Sequence, residues 1–210
     1  MPQAARVVRA PRTQEQRSAE TRRTILDAAV ESLIASGVAG TTTLEVQKRA
    51  KVSRGALLHH FPSKAELMAA TIVHLAEMRG RELKAQSPHL PARGRARISA
   101  VFDLAWQSFT GPLFYVAMDL RAAARTDHEL RRALSETERV VHERLIAQYK
   151  ELLGPEIADH PRFSTAFEMT LQFMIGAAMT ALLHGKAAKV EPLINLWKSA
   201  FPVLLSAGDP

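Results

Sequence analysis

The segment TTLEVQKRAKVSRGALLHHFPSK, from Thr42 to Lys64, decides the fold of this chain. Glu45 follows Thr42 by three residues, which predicts a capping box at the start of a helix. Ser53 is a second candidate N-cap, and Pro62 ends the next helix because the residue before a proline avoids helical angles. Two short helices joined by a tight connector, the second exposed and basic, are typical of a helix-turn-helix that enters the major groove of DNA.

This order of residues resembles the TetR family of bacterial transcriptional regulators over about residues 20 to 70. The positions that match the family pattern T-x-x-x-I-A-x-x-A-G-V-S-x-G-x-L-Y-x-H-F-x-x-K are Thr42, Val46, Ala50, Val52, Ser53, Gly55, Leu57, His60, Phe61 and Lys64. The segment 22–37 resembles the first helix of the family, which ends in glycine. The resemblance implies a three-helix DNA-binding headpiece followed by a helical domain that binds a ligand and dimerises.

Three residues depart from the family pattern. Lys51 occupies the turn position where the family prefers glycine, and a left-handed backbone there costs a lysine roughly 1 kcal/mol. Gln47 replaces a small alanine, so its side chain is expected to face solvent or DNA. Leu58 replaces a tyrosine whose hydroxyl reaches a phosphate, and it offers only apolar contact, for example to a thymine methyl.

Arg54 is the best candidate for reading a base, since arginine matches O6 and N7 of guanine with two hydrogen bonds. Gly55 and Ala56 allow the backbone to approach DNA closely. His59 is a candidate for contact with a base or a phosphate. For Arg54 and His59 a solvated basic face is the alternative interpretation.

Contacts to the DNA backbone position a protein without specifying sequence. The resemblance implies such contacts for His60 and Lys64, and Thr42 is a further candidate. The complete predicted DNA-binding set is Thr42, Gln47, Ser53, Arg54, Gly55, Ala56, Leu58, His59, His60 and Lys64.

Charge is concentrated in the first third of the chain. Residues 1–64 carry 11 Lys and Arg against 5 Asp and Glu, whereas residues 65–210 carry 17 against 16. This segregation favours a polyanion-binding module, with double-stranded DNA as the partner. A membrane surface is the rival partner for a basic arm, but residues 1–17 have no sustained apolar face. We therefore expect no membrane contact.

Composition indicates a globular protein, because 47% of the residues are apolar. No uninterrupted apolar run reaches the length of a membrane span, and no apolar leader is visible, so we expect a cytoplasmic protein, associated with the nucleoid when bound to DNA. With no cysteine in the sequence, disulfides, thiolate metal sites and cysteine nucleophiles are excluded.

Helical periodicity without any strand pattern predicts an all-α fold of about nine helices. We predict a flexible basic arm at 1–18, a helix-turn-helix domain at 19–66, and a helical ligand-binding and dimerisation domain at 67–210. The first helix is predicted from Ala19 to Ser36 with Gly37 as its C-cap, and a long fourth helix from Lys64 to about Gln86. The arm is a candidate for minor-groove contact, and a solvated tail is the alternative.

The last two helices, predicted at 162–184 and 192–205, are apolar on more than one face and need cover on both sides. A second copy of the chain provides that cover in a twofold four-helix interface, which the resemblance also implies. The candidate dimerisation residues are Met169, Phe173, Gly176, Ala177, Thr180, Leu193, Leu196, Trp197, Ala200 and Phe201.

The resemblance also implies a small-molecule pocket in the carboxy-terminal domain. Apolar side chains with a few polar groups are the usual lining of such a pocket. The candidates are Trp106, Phe109, Phe114, Met118, His142, Phe167, Gln172 and Met174. Plain core packing is the alternative for each of them.

No catalytic constellation is visible, so we predict that the chain is not an enzyme and needs no cofactor. His59 and His60 point about 100° apart on a helix, and Glu138 with His142 lacks a third ligand, so no metal is expected. The sequence thus predicts a sequence-specific, ligand-responsive repressor that binds a near-palindromic operator as a homodimer. The alternatives are a nucleoid-associated or architectural DNA binder without an inducer, and an all-α enzyme or carrier with a basic headpiece.

Overall fold

A computed structural model describes residues 13–185 and 189–206 of the chain. These ranges contain ten α-helices, one 3₁₀ turn at Ser87–His89 and no strand, which confirms the all-α prediction. The helices are α1 (Gln14–Gly40), α2 (Thr43–Ala50), α3 (Arg54–His60), α4 (Lys64–Gln86), α5 (Gly94–Phe109), α6 (Pro112–Ala123), α7 (His128–Leu153), α8 (Pro155–Ala158), α9 (Phe163–His184) and α10 (Val190–Ser206). The predicted helices all occur, and α8 is additional.

The first helix begins at Gln14, five residues before the predicted start at Ala19. Thr13 and Gln16 form a capping box, in which Gln16 N donates to Thr13 Oγ1 and Thr13 N donates to Gln16 Oε1. Residues 14–18, which were assigned to the flexible arm, are therefore helical, and residues 1–12 of that arm lie outside the described residues. Gly37, predicted as the C-cap, instead interrupts the helix with a φ of 63°, and α1 runs on to Gly40 with Thr41 as its C-cap.

The core of the headpiece takes buried side chains from each of its three helices and from the segment after them. Ile25 on α1, Val46 on α2 and Leu57 on α3 meet Phe61, and all four are almost inaccessible to solvent. The same core continues into the amino-terminal half of α4 and into Val116 and Leu120 of α6. The headpiece is thus packed onto the carboxy-terminal domain, with α1 in direct contact with α4 and α6.

The turn between α2 and α3 has the left-handed backbone that was anticipated for Lys51. Its φ is 54° and its ψ is 39°, and its backbone N–H bonds the carbonyl oxygens of Gln47 and Lys48 at the end of α2. Glycine adopts this conformation without a clash between Cβ and the following carbonyl. Lys51 therefore carries local strain.

Replacement of Lys51 by glycine is expected to raise the free energy of unfolding by about 0.5–1 kcal/mol, because the steric cost of the left-handed turn disappears. Lys51→Ala is the matched control, since it removes the charge and keeps the strain. Urea denaturation followed by circular dichroism measures both variants. If Lys51→Gly and Lys51→Ala were equally stable, relief of backbone strain at this turn would not explain a gain in stability.

The carboxy-terminal domain has a second core rich in aromatic contacts. Phe102 of α5 meets Phe201 of α10 edge to face at 5.1 Å between ring centroids. Tyr149 of α7 and Phe163 both contact Phe167 of α9, at 5.3 Å and 5.5 Å. These pairs join α5, α7, α9 and α10 into one bundle.

Helix α9 is long and apolar enough to cross a bilayer by length and composition alone. A core helix has the same properties, and Phe163, Phe167, Leu171 and Met174 of α9 are buried inside the bundle. The helix packs as an interior element of the fold in this structure.

Candidate nucleic-acid interface and internal cavity

The helix-turn-helix is fixed by two N-caps. Thr42 Oγ1 accepts a hydrogen bond from Glu45 N, and Ser53 Oγ accepts one from Ala56 N, each at 3.1 Å. The Glu45 carboxylate binds Arg49 Nη2 at 3.2 Å, so the capping box predicted at Thr42 forms from one side. Each capping hydroxyl still has its own O–H available as a donor to a phosphate.

All ten predicted DNA-binding residues have surface available for contact. Thr42, Ser53, Arg54, Gly55, Leu58, His59 and Lys64 are exposed, and Gln47, Ala56 and His60 are half-buried. The structure therefore leaves the predicted contacts possible, and they remain predictions.

The basic side chains of the headpiece differ in how they are held. Arg49 lies 3.2 Å from Glu45 and 3.6 Å from Glu31 of α1, which holds it against the protein. No acidic side chain of the described residues forms an ion pair with Arg54, which stands at the first turn of α3. Of these two arginines, Arg54 is the one whose guanidinium is available to a base edge.

His60 is not a cationic phosphate ligand at neutral pH. Partial burial lowers its pKa, and the neighbouring His59 and Arg22 lower it further. The neutral ring has one N–H donor, which suits a single hydrogen bond to a phosphate oxygen. Lys64 supplies positive charge nearby, with its Nζ 3.4 Å from the carbonyl oxygen of Val38.

A polar contact joins the headpiece to α4. His74 is only 5% exposed, and its Nε2 lies 2.6 Å from Oδ1 of Asp27 on α1. Glu77, one turn farther along α4, forms an ion pair with Arg144 of α7. These contacts connect α1, α4 and α7 on one side of the molecule.

We expect His74→Ala to lower the free energy of unfolding by about 1–2 kcal/mol, because it leaves a partly buried carboxylate without its hydrogen bond. A double-mutant cycle with Asp27→Ala should give a coupling energy of about 1 kcal/mol. Arg23→Ala serves as the control, since Arg23 forms an exposed pair with the same carboxylate at 3.8 Å. Additive losses for His74 and Asp27 would contradict the coupling.

A cavity of about 140 Å³ lies between α4, α5, α6, α7 and α9. Five of the predicted ligand-binding residues line it: Phe109, Phe114, Met118, His142 and Gln172. Phe167 and Met174 instead border a space of about 20 Å³ deeper in the core, and Trp106 packs half-buried against the core without lining either space. In this structure Phe167, Met174 and Trp106 therefore take part in core packing and do not line the cavity.

Helix α6 separates the cavity from the headpiece. Phe114 and Met118 line the cavity, whereas Val116 and Leu120 on the other face belong to the headpiece core. A displacement of α6 by material in the cavity would therefore reach α1 through direct contact.

Two polar side chains inside the bundle were not identified from the sequence. Arg79 lines the cavity, and its Nε and Nη2 are buried without a hydrogen-bond partner among the described residues. The hydroxyl of Tyr149 is also buried without such a partner. Burial lowers the pKa of Arg79, an effect that Tyr149 and Glu82 oppose, and burial raises the pKa of Tyr149.

The remaining charged groups of the cavity lining are paired. Arg121 forms an ion pair with Glu138 across α6 and α7, and Glu168 accepts from Gln172 Nε2 at 2.8 Å. His142 Nε2 lies 3.8 Å from the same glutamate. Across the described ranges, no group of three His, Asp or Glu side chains is arranged to hold a metal ion.

One face of α9 and α10 exposes large apolar side chains. Leu196 is 68% exposed and Leu193 is 52% exposed, and both lie on the same side of α10. The other exposed large apolar residues of the two helices are Met169, Met179, Leu182, Leu183 and Val203. A contiguous apolar surface of this kind marks an interaction site.

Eight of the ten predicted dimerisation residues are accessible at least in part. Met169, Gly176, Thr180, Leu193 and Leu196 are exposed, and Phe173, Trp197 and Ala200 are half-buried. Phe173 and Trp197 stack at 4.9 Å, which gives the surface a flat aromatic centre. Ala177 and Phe201 were wrongly placed on this surface, because both are buried in the core of their own subunit.

Comparisons with known proteins agree with this arrangement. Residues 25–71 match the family model for bacterial regulatory proteins of the tetR family. The chain is 29% identical over 202 residues to the HTH-type transcriptional regulator Rv2912c of Mycobacterium tuberculosis, covering 94% of this chain and 98% of that protein.

Among solved structures, the multidrug binding protein EbrR complexed with ethidium superposes with a TM-score of 0.60 at 22% identity, covering 88% of this chain and 98% of that one. The transcriptional regulator FadR of Bacillus subtilis in complex with stearoyl-CoA superposes with a TM-score of 0.61 at 15% identity, covering 85% and 96%. At these identities the likeness concerns the fold.

Proposed function

The chain belongs to the TetR family of bacterial regulatory proteins and is a DNA-binding transcriptional regulator, and from that premise we propose that it is a ligand-responsive repressor that acts as a homodimer on a near-palindromic operator. The observation that carries this proposal is the position of α6, with one face on the cavity and the other in the headpiece core. A ligand in the cavity can act on the DNA-binding helices through α6 and also through α4, whose Leu75 lines the cavity and belongs to the headpiece core.

Recognition of DNA is assigned to α3. Arg54 is exposed at the end of the helix that enters the major groove and has no ion pair among the described residues. Thr42, Ser53 and Lys64 surround it with donors suited to phosphates. Arg54 therefore supplies base reading, and its neighbours supply position on the duplex.

Dimerisation is assigned to the exposed apolar face of α9 and α10. A twofold interface places the same patch of each subunit against its copy and buries Leu193 and Leu196 of both. Two headpieces held this way reach successive major grooves, which explains the expectation of a near-palindromic site.

The ligand response follows from differential binding to two states. The headpieces of the dimer bind the operator at one separation, and a ligand that prefers another arrangement of α4 and α6 weakens the complex. EbrR and FadR, which share this fold, are seen with ethidium and with stearoyl-CoA, and we infer a bound effector for this chain by analogy. Such a regulator acts in the cytoplasm, on the nucleoid.

The proposal is tested by selecting bound fragments from genomic DNA and measuring affinity for a selected fragment and for its shuffled sequence over a salt series. We expect the selected fragment to bind about a thousandfold or more tightly at physiological salt. Both affinities should fall with rising salt, because phosphate contacts release counterions. Equal affinities at every salt concentration would support the architectural DNA binder instead.

A further inference from the structure

An arginine with two unpartnered donors lies inside the cavity. Nε and Nη2 of Arg79 are buried and bond no acceptor of the described residues. The guanidinium lies over the ring of Phe109, with Cζ 5.2 Å from the centroid. Glu82, whose charge acts on Arg79, is exposed and accepts from neither atom. Because a guanidinium keeps its proton in proteins, this half-buried side chain carries a positive charge that no bonded anion balances.

The other charged groups in the lining do not need a ligand. Arg121 and Glu138 neutralise each other, and Glu168 is bonded to Gln172. The cavity therefore lacks one group, an anionic hydrogen-bond acceptor for Arg79.

The two free donors fit a carboxylate. Nε and Nη2 form one edge of the planar guanidinium and direct two parallel N–H bonds, which match the two oxygens of a carboxylate. The hydroxyl of Tyr149 is a further buried donor without a partner, and it lies close enough to Arg79 for each group to influence the ionisation of the other. Tyr149 itself borders the smaller neighbouring space, which shares Phe109 and Leu171 with the cavity lining.

The rest of the cavity suits a compact apolar body. Phe109, Phe114, Met118 and Leu171 contribute apolar walls. The volume of about 140 Å³ is close to that of an engineered apolar cavity of about 150 Å³ that holds benzene. One ring, or a short alkyl chain of similar bulk, therefore fills it.

We propose that the cavity is a receptor for a compact monocarboxylate, whose carboxylate binds side-on to Nε and Nη2 of Arg79 while its apolar body packs against Phe109, Phe114 and Met118. This assignment rests on the proposed ligand response and gives the chemical class of its ligand. A phosphate monoester fits less well, because its second charge has no counter-charge and Glu138 and Glu168 lie in the same lining.

The test is calorimetric titration of the full-length protein without DNA. Benzoate, phenylacetate and hexanoate are compared with benzamide, phenylacetamide and hexanamide, which keep the apolar body and lose the charge. We expect at least one carboxylate to bind about tenfold or more tightly than its amide, because the bonds to Arg79 are charge-assisted.

Arg79→Met keeps an unbranched apolar stem and removes the guanidinium with its charge, and it should reduce carboxylate affinity about tenfold or more. Arg81→Met is the control and should leave carboxylate affinity unchanged, since Arg81 is an exposed arginine on the same helix. The unliganded Arg79→Met protein should melt at the same or a higher temperature than wild type, because an unbalanced buried charge has been removed. A loss of binding then cannot be attributed to unfolding.

Three results would overturn the assignment: no binding of any of the carboxylates, equal binding of carboxylate and amide, or unchanged affinity in Arg79→Met. Operator affinity without ligand is measured separately, so that a failure here leaves the DNA-binding proposal intact. If a carboxylate binds through Arg79 and operator affinity does not change at saturation, the receptor is supported and the ligand response is contradicted.

Discussion

Leu196→Glu is expected to convert the protein to a monomer and to reduce operator affinity by about a hundredfold or more. Leu196 is 68% exposed on α10, and a twofold interface would bury two copies of the new carboxylate without a counter-charge. Separation of the subunits also removes the second headpiece. Tethering two binding modules raises overall affinity about 10²–10⁴-fold, so this gain is lost. Sedimentation velocity reports the assembly, and fluorescence anisotropy with labelled operator reports the affinity.

Ile34→Glu is the matched control for this prediction. Ile34 is 48% exposed on α1, outside the proposed interface, so the variant should remain dimeric. Circular dichroism should show both variants folded, because each replaced side chain is largely outside the cores. A dimeric Leu196→Glu protein would place the subunit interface elsewhere.

Arg54→Ala is expected to weaken binding to the operator by about 1–3 kcal/mol and to relax specificity at one base pair. The loss arises because the bidentate bond to guanine disappears while the rest of the headpiece keeps its position. Affinity for the operator and for all single-base variants at each half-site position measures both effects. Wild-type affinity in Arg54→Ala would remove this residue from base reading.

Lys64→Ala separates base reading from phosphate binding. Lys64 is exposed at the first turn of α4, and loss of a phosphate contact should weaken every sequence alike and reduce the slope of log affinity against log salt by about 1. Arg54→Ala should therefore change the preference among single-base variants, whereas Lys64→Ala should weaken all of them equally. This difference should hold even where the two variants lose similar affinity for the operator.

Local capping chemistry could be predicted from the sequence alone. Thr42 accepts from Glu45 N and Ser53 accepts from Ala56 N, each at 3.1 Å, as their positions before a helical pattern indicated. The start of α1 was predicted too late because Thr13 and Gln16, a capping box readable in the sequence, were assigned to the arm. Helix α8 has four residues, too few to show a period.

The faces of α9 and α10 could be predicted only in part. Helix α9 is apolar around most of its circumference, so periodicity could not show that Ala177 faces its own core. Phe201 lies one turn from the half-buried Trp197 of α10 and is itself buried, in contact with Phe102 of α5. Which apolar residue meets a partner subunit depends on packing between helices distant in sequence.

The lining of the cavity, like the faces of α9 and α10, could be predicted from the sequence only in part. Five of its lining residues were among the predicted candidates, which were chosen because the family resemblance implies a pocket and such pockets combine apolar side chains with a few polar groups. Arg79 was missed, although it follows Leu75 by four residues on the inner stripe of α4 and a charge on such a stripe is unusual. The missing partner of its guanidinium is visible only when all five helices are assembled.

Hydroxyl-radical footprinting of the wild-type protein on a selected genomic fragment tests most directly that this regulator reads a near-palindromic operator as a dimer. A dimer on such an operator should protect two half-sites related by a twofold axis, with centres one helical turn of about 34–36 Å, or a whole multiple of it, apart. Protection of one unpaired half-site, or even protection along the whole fragment, would contradict it.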